Sequence, residues 1–445
     1  MCTDLSMARR AVAGGLALLL LASDALAGPK VEAWHTADGA RVLFVAAPEL
    51  PMVDVRVVFD AGSARDADQP GIASLVSALV TEGAGPWTAD QIAERMDSVG
   101  ASLSSSSLRD MATVSMRSLT EPRALAVAVD TLAAVLARPR FAPSDVERVR
   151  NAQLVSLREQ EQSAGTVASK AFYRSLYGSH PYAADPAGTP ESVAAVQRED
   201  LAGFHARYYV ARNAVVAVVG ALDRPQAQAL VERALAGLPA GDRAPPVAEP
   251  APPAPGLKPV AFPSSQTHIY LGQLGMARHD PDYFPLLVGN HLLGSSGLVS
   301  LLGEEVRNKR GLSYSVYSGL VPMRRAGPFV AVAQTKNAQA DEAIAVMRQT
   351  IADFVEKGPD PKLLDEAKRN LTGGFPLRIA SNGKIVEQLA MIGFYDYPLD
   401  WLDSYVAKVD AVTPEQVRDA FHRRIDPAGF TAVVVGGGQP KAAGG

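Results

Sequence analysis

Side chains able to do metal, nucleophilic or acid–base chemistry are scattered through this chain. Its seven histidines are His35, His180, His205, His268, His279, His291 and His422. No two stand three or four residues apart, so no single helical turn offers two imidazoles to one ion. They read as solvated or hydrogen-bonded structural residues. The one cysteine is Cys2, which excludes a disulfide framework, a thiolate zinc site and a cysteine nucleophile in the body of the protein. Serines are plentiful, but none sits in a G-x-S-x-G elbow. The glycine-rich pieces Leu293-Gly294-Ser295-Ser296-Gly297 and Gly436 to Gly438 lack the P-loop lysine and the G-x-G-x-x-G setting, and read as turns. Taken locally, Arg307 is a surface helix residue in EEVRNKR and Tyr314 a half-buried strand aromatic.

The elements that would carry these residues follow from hydrophobic period. Ile72, Leu75, Val76, Leu79 and Val80 have the spacing of one buried helical stripe, and Ser74, Ser77, Ala78 and Thr81 lie off it. Val55 to Asp60, His268 to Gly272, Ala112 to Ser118 and Phe329 to Gln334 read as strands. Leu125 to Asn151 lies without a gap over Ile344 to Asn370, with Thr131/Thr350, Glu147/Glu366, Arg150/Arg369 and Asn151/Asn370 among the identities. Both stretches read as two helices joined by a loop. The second helix is opened in the first copy by a capping box at Ser144 and Glu147, and in the second by Asp360-Pro361. The segments Glu199 to Gly220 and Glu415 to Gly436 match as well, each a helix leading to a β-branched strand that stops at glycine. Between the copies, residues 239–259 are proline-rich and read as an extended spacer. The pattern predicts an α+β fold of two homologous domains, 28–238 and 260–437, each a mostly antiparallel sheet packed by helices, with a tail at 438–445.

Composition narrows the function class. A chain of 445 residues, 47% hydrophobic and 20% charged, buries a sizeable core. With 43 basic against 47 acidic residues it has no surplus to neutralise phosphates along a nucleic acid. Arg9 and Arg10, the apolar run Ala11 to Ala22 and Ala25-Leu26-Ala27 have the pattern of a cleaved signal peptide over residues 1–27, with an uncleaved N-terminal anchor as the alternative. No later segment has the apolar length of a membrane span. The expectation is an exported, periplasmic protein.

Three further segments, in order, carry a resemblance. Ala61 to Gly85 reads AGSARDADQPGIASLVSALVTEGAG; His180 to Val196 reads HPYAADPAGTPESVAAV; Leu293 to Val316 reads LGSSGLVSLLGEEVRNKRGLSYSV. Over nearly all of the mature chain, the sequence resembles the pitrilysin/insulinase family of zinc metallopeptidases, the inverzincins, in its short bacterial two-domain form. In that family the helix after the glycine turn carries H-x-x-E-H. Here the aligned positions hold Ser74, Ser77 and Ala78, and the position of the third metal ligand, a glutamate, is Ser156, with Glu159 and Glu161 nearby. Serine hydroxyls and a methyl group do not replace imidazole and carboxylate donors.

The resemblance implies that Arg307 and Tyr314 match the family's Arg-x6-Tyr motif, whose guanidinium and phenol donate hydrogen bonds to substrate carbonyls and to the oxyanion at the scissile peptide. A chain that has lost the metal ligands and kept these donors looks like the non-catalytic member of a two-subunit peptidase. The expected partners are a homologous zinc-bearing subunit and a peptide substrate, with no cofactor in this chain. A structural or peptide-binding scaffold and an autonomous zinc endopeptidase are the alternatives.

Overall fold

The structure, a computed structural model, describes residues 30–437. The expected signal peptide and the tail from 438 lie outside the described residues.

The first half builds β1 (Glu32–His35), β2 (Arg41–Ala46), β3 (Met52–Phe59), the helix α1 (Ile72–Leu79), a small hairpin of β4 (Gly83–Ala84) and β5 (Trp87–Thr88), then β6 (Ser102–Ser107) and β7 (Ala112–Leu119). The helices α2 (Pro122–Ala137), α3 (Pro143–Glu161), α4 (Ala164–Tyr177) and α5 (Arg198–Tyr208) follow, and β8 (Ala214–Gly220) returns to the sheet. The second half runs β9 (Gly256–Phe262), β10 (Gln266–Leu274), β11 (Ser313–Leu320), β12 (Pro328–Lys336), α6 (Ala340–Lys357), α7 (Pro361–Gly374), α8 (Asn382–Phe394), α9 (Pro414–Arg424) and β13 (Thr431–Gly437).

Duplication is written in the topology. Among the described residues, one sheet has the order β1-β2-β8-β3-β7-β6 and the other β11-β12-β10-β13-β9. Reversing the second lays β9-β13-β10-β12-β11 over β2-β8-β3-β7-β6. Among the described strands the parallel ladders are the equivalent ones, β2 with β8 and β9 with β13. The central strand β8, AVVAVVG, is apolar throughout because both its faces are covered. Val216 and Val218 join the core of the first half, while Ala217 and Val219 join that of the second.

That second covering comes from an exchange. Helix α8 lies on β2, β3 and β8 of the opposite half, where Gly393 lets the backbone close in. A Cβ there would stand 2.4 Å from Val215 Cγ1 and 2.8 Å from Leu43 Cδ1. Reciprocally, α4 of the first half lies on β10 and β13, with Ala168, Phe172 and Leu176 against Val433 and Val435. Each sheet is thus roofed on one face by a helix from the other copy.

Two sequence expectations change. Helix α3 starts at Pro143 with Ala142 at its N-cap, so Ser144 lies inside the first turn and makes no capping box; the proline takes the start itself. The expected spacer loses Gly256 to Pro259 to the edge strand β9, where Pro259 is tolerated. The rest, 239–255, is docked, not free: Val247 is buried, Arg65 donates to the Pro245 carbonyl at 2.6 Å, and the Ala248 carbonyl meets His180 Nε2 at 2.9 Å.

Candidate functional site

Helix α1 follows its predicted stripe, with Ile72, Leu75, Val76, Leu79 and Val80 all buried. Its entry is made by Gly71, whose φ of 97° favours glycine. A Cβ at Gly71 would also stand 2.8 Å from the Ala187 carbonyl, because the turn after His180-Pro181-Tyr182 closes over it. The Asp66 carboxylate accepts from Gly71 N at 2.7 Å and Ala73 N at 3.0 Å, holding the first turn, while burial pushes its pKa up to about 7.

On the other side of α1 Ser74 is half-buried and Ala78 exposed. Ser77, off the hydrophobic stripe, is only 3% exposed because β6 passes over it: Ser105 Oγ donates to the Ser77 carbonyl at 2.6 Å, and Ser77 Oγ has no partner. Ser156 is exposed on α3 and accepts from Gln160 Nε2 at 3.3 Å; Glu159 and Glu161 are exposed as well. Among the described residues, no three His, Cys, Asp or Glu side chains stand together as a metal-holding group. The donors at the family's metal positions are neutral hydroxyls and a methyl, which do not fit zinc.

Three of the histidines are engaged in structure, while His35 and His422 are exposed. Burial holds His205 down to a pKa of about 4; its Nε2 lies 2.9 Å from the Leu136 carbonyl and its ring stacks on Tyr209 at 4.7 Å. His180 receives Tyr182 N at 3.1 Å, and His279 meets the Tyr395 carbonyl.

Arg307 and Tyr314 come together. Residues Gly303–Asn308 form a π-helical turn, and Gly311, at φ 62°, reverses the chain so that Leu312 N donates to the Val306 carbonyl at 2.9 Å. β11 then opens with a bulge: Ser313 opposes Thr335, Ser315 opposes Gln334, and Tyr314 between them has no partner across the ladder. Ser313 Oγ holds the bulge by donating to the Ser315 and Gln334 carbonyls at 2.6 and 2.7 Å. A bulge re-aims one side chain, and the Tyr314 side is 85% exposed with the Arg307 guanidinium carbon 5.0 Å from its ring centroid. The nearby acids are taken: Glu305 pairs with Lys309 and Arg310 at 2.7 and 2.6 Å, and Glu304 accepts from Asn308 at 2.8 Å. Arg307 therefore keeps its guanidinium free of a carboxylate among the described residues.

Sequence reasoning missed the polar knot that joins the halves. Asp110, 4% exposed in the β6–β7 turn, accepts from Tyr182 Oη, from Tyr395 Oη at 2.8 Å and from Arg324 N at 2.8 Å. Burial and the neighbouring carboxylate both hold the Tyr182 and Tyr395 phenols protonated, well above their ordinary range. Only the His-Pro-Tyr segment signalled any of this. Asp110 and Tyr395 lie 285 residues apart and share no local pattern.

Comparison with known proteins agrees with this architecture. Residues 41–189 match the model described as insulinase (peptidase family M16), and 195–371 that described as peptidase M16 inactive domain. A crystal structure of a peptidase M16 inactive domain from Pseudomonas fluorescens superposes with a TM-score of 0.89 at 38% identity, covering 92% of this chain and 99% of that one. The chain belongs to peptidase family M16. Within M16 it is of the non-catalytic type, lacking H-x-x-E-H. Its M16 relatives carry both kinds of description. An uncharacterized zinc protease of Mycobacterium leprae is 28% identical over 408 residues, 89% of this chain and 90% of that one. A non-peptidase homolog of Helicobacter pylori is 25% identical over 391 residues, 86% and 89% of the two chains.

Proposed function

We propose that this chain is the zinc-free subunit of a heteromeric peptidase, lending Arg307 and Tyr314 to a homologous partner that carries H-x-x-E-H and its zinc. One observation supports the reading above others. The bulge holds Tyr314 exposed, and the half-buried Arg307 on the π-turn lies against its ring free of carboxylates, in a chain whose metal positions are Ser74, Ser77, Ala78 and Ser156. In this reading the partner supplies the attacking water. The Tyr314 hydroxyl and the Arg307 fork are aimed at the peptide carbonyl and at the oxyanion it becomes, where preorganised donors stabilise developing charge. Export to the periplasm belongs to the same proposal and rests on residues 1–27. Among the described residues no helix is long and apolar enough to cross a membrane.

The test is reconstitution with an H-x-x-E-H homologue. Peptide turnover is expected only in the mixture, and Tyr314→Phe is expected to slow it by about 100- to 1000-fold without loss of assembly. Unchanged turnover by the variant mixture would rule the role out. A second reading, a peptide-binding scaffold without hydrolysis, is favoured by β6, an edge strand that pairs only with β7 among the described residues, so its outer side is placed to take an added strand. It predicts peptide binding by the chain alone and no gain in turnover on mixing.

A further inference from the structure

Where the two halves and the docked 239–255 segment meet, they line a cavity of about 620 Å³ that is open to solvent. Five arginines line it: Arg41 and Arg212 from the first half, Arg243 from the connecting segment, and Arg324 and Arg325 from the second half. That concentration runs against a chain whose net charge is -4.

The nearby carboxylates do not cancel it. Asp396 is paired with Arg41, and Glu249 with Arg325. Asp60 is gripped in a fork by Arg65, Nε to Oδ1 at 2.7 Å and Nη2 to Oδ2 at 2.8 Å, and stands 3.8 Å from Arg324 Nε. Arg324 Nε is buried without a hydrogen-bond partner. Arg212 has only Asp242, 3.7 Å away and fully in solvent, and Arg243 has no carboxylate within ion-pair distance among the described residues. Their other contacts are to main-chain carbonyls: Arg243 Nε to Arg212 O at 3.1 Å and Arg212 Nη1 to Gly241 O at 3.2 Å. Arg212 and Arg243 thus face the cavity with donors to spare, and Arg324 of the second half adds its charge beside them while its Nη2 donates to the Phe394 carbonyl at 3.1 Å. Planar forks of this kind suit phosphate and carboxylate oxygens bidentately.

We propose that this cavity binds a small, multiply charged anion bearing phosphate or carboxylate groups, and that the bound anion ties the connecting segment to both halves. The site is separate from Arg307 and Tyr314 and does not rest on the peptidase reading.

The experiment titrates the full chain with tripolyphosphate and, separately, with citrate, at ionic strength held constant with potassium chloride. Heat of binding and the unfolding midpoint are both read. Saturable binding with a raised midpoint is expected for at least one anion, since a ligand that binds only the folded state stabilises it. Tripolyphosphate alone would assign phosphate chemistry, and citrate alone carboxylate chemistry. Arg243→Gln and Arg212→Gln, made separately, are each expected to weaken binding about tenfold, the value of one charged hydrogen-bonding partner. If one of these variants fails to fold, Arg243→Lys keeps the charge, loses the fork and should still bind more weakly than the wild type. No response beyond the potassium chloride control, or binding that survives undiminished in the variants, would overturn the proposal.

Discussion

Tyr314 contributes little to the core and much to the proposed chemistry, so its substitution separates stability from function. With its side chain 85% exposed, Tyr314→Phe is expected to leave the unfolding midpoint within the small range typical of surface changes, about 0.5 kcal/mol, whatever it does to turnover. Arg307→Lys keeps the charge but not the fork, so its effect on the mixed enzyme should be smaller than that of Arg307→Ala and visible at saturating substrate. His205 offers a pH test of the opposite kind. Its folded pKa of about 4 lies below its ordinary 6.5, so the unfolded chain takes up a proton across that window and the folded one does not. Stability is then full above about pH 6.5 and falls as the pH drops toward 4, by on the order of 3 kcal/mol. Asp66 works with the other sign, since its carboxyl, pushed up to about 7, stabilises least when ionised. The clean measurement is therefore the difference between wild type and His205→Gln in denaturant titrations at pH 7 and pH 4.5. A flat difference would show that His205 is not the neutral, buried group described.

Several elements were legible residue by residue. The stripe on α1 read directly, because a periodicity of 3.6 reports which side is buried; β7 and β12 were legible as strands, but their burial does not alternate cleanly, since β12 is buried on both faces along much of its length. The N-cap at Asp360 was equally plain, its carboxylate accepting from Lys362 N at 2.8 Å and Leu363 N at 3.2 Å. Ser144 failed as a cap because Pro143 fixes the first helical φ and moves the cap back by two residues, to Ala142. The bulge at Tyr314 was not legible, since it depends on the register of β12 across the ladder. Helix α8 yields the sharpest prediction at this scale. Gly393→Val would drive a side chain into Val215 and Leu43, and is expected to cost about 1–3 kcal/mol, measured as a lowered denaturation midpoint. A neutral result would mean that α8 does not lie against the opposite sheet.

Exchange of α4 and α8 makes the two halves mutually dependent. Residues 256–437 expressed alone would leave the β10–β13 face, with Val433 and Val435, without its roof of Ala168 and Phe172. The expected outcome is an aggregated or dye-binding species on its own, and recovery of a folded complex when 30–255 is co-expressed; a monomeric, cooperatively unfolding second half would contradict the exchange. At the polar knot, Tyr395→Phe removes one donor from the buried Asp110 and is expected to cost about 1–3 kcal/mol in global unfolding.

By itself the sequence determined the α+β class, the duplication and the identity of the residues at the family's metal and donor positions, since these depend on composition, period and order along the chain. Which helix roofs which sheet, how a proline-rich stretch becomes a docked strap, and why Asp110, Tyr395 and five arginines converge were decided only in three dimensions. The reason is the distance along the chain: such contacts join residues tens to hundreds of positions apart, where no local pattern records that two surfaces will be buried against each other.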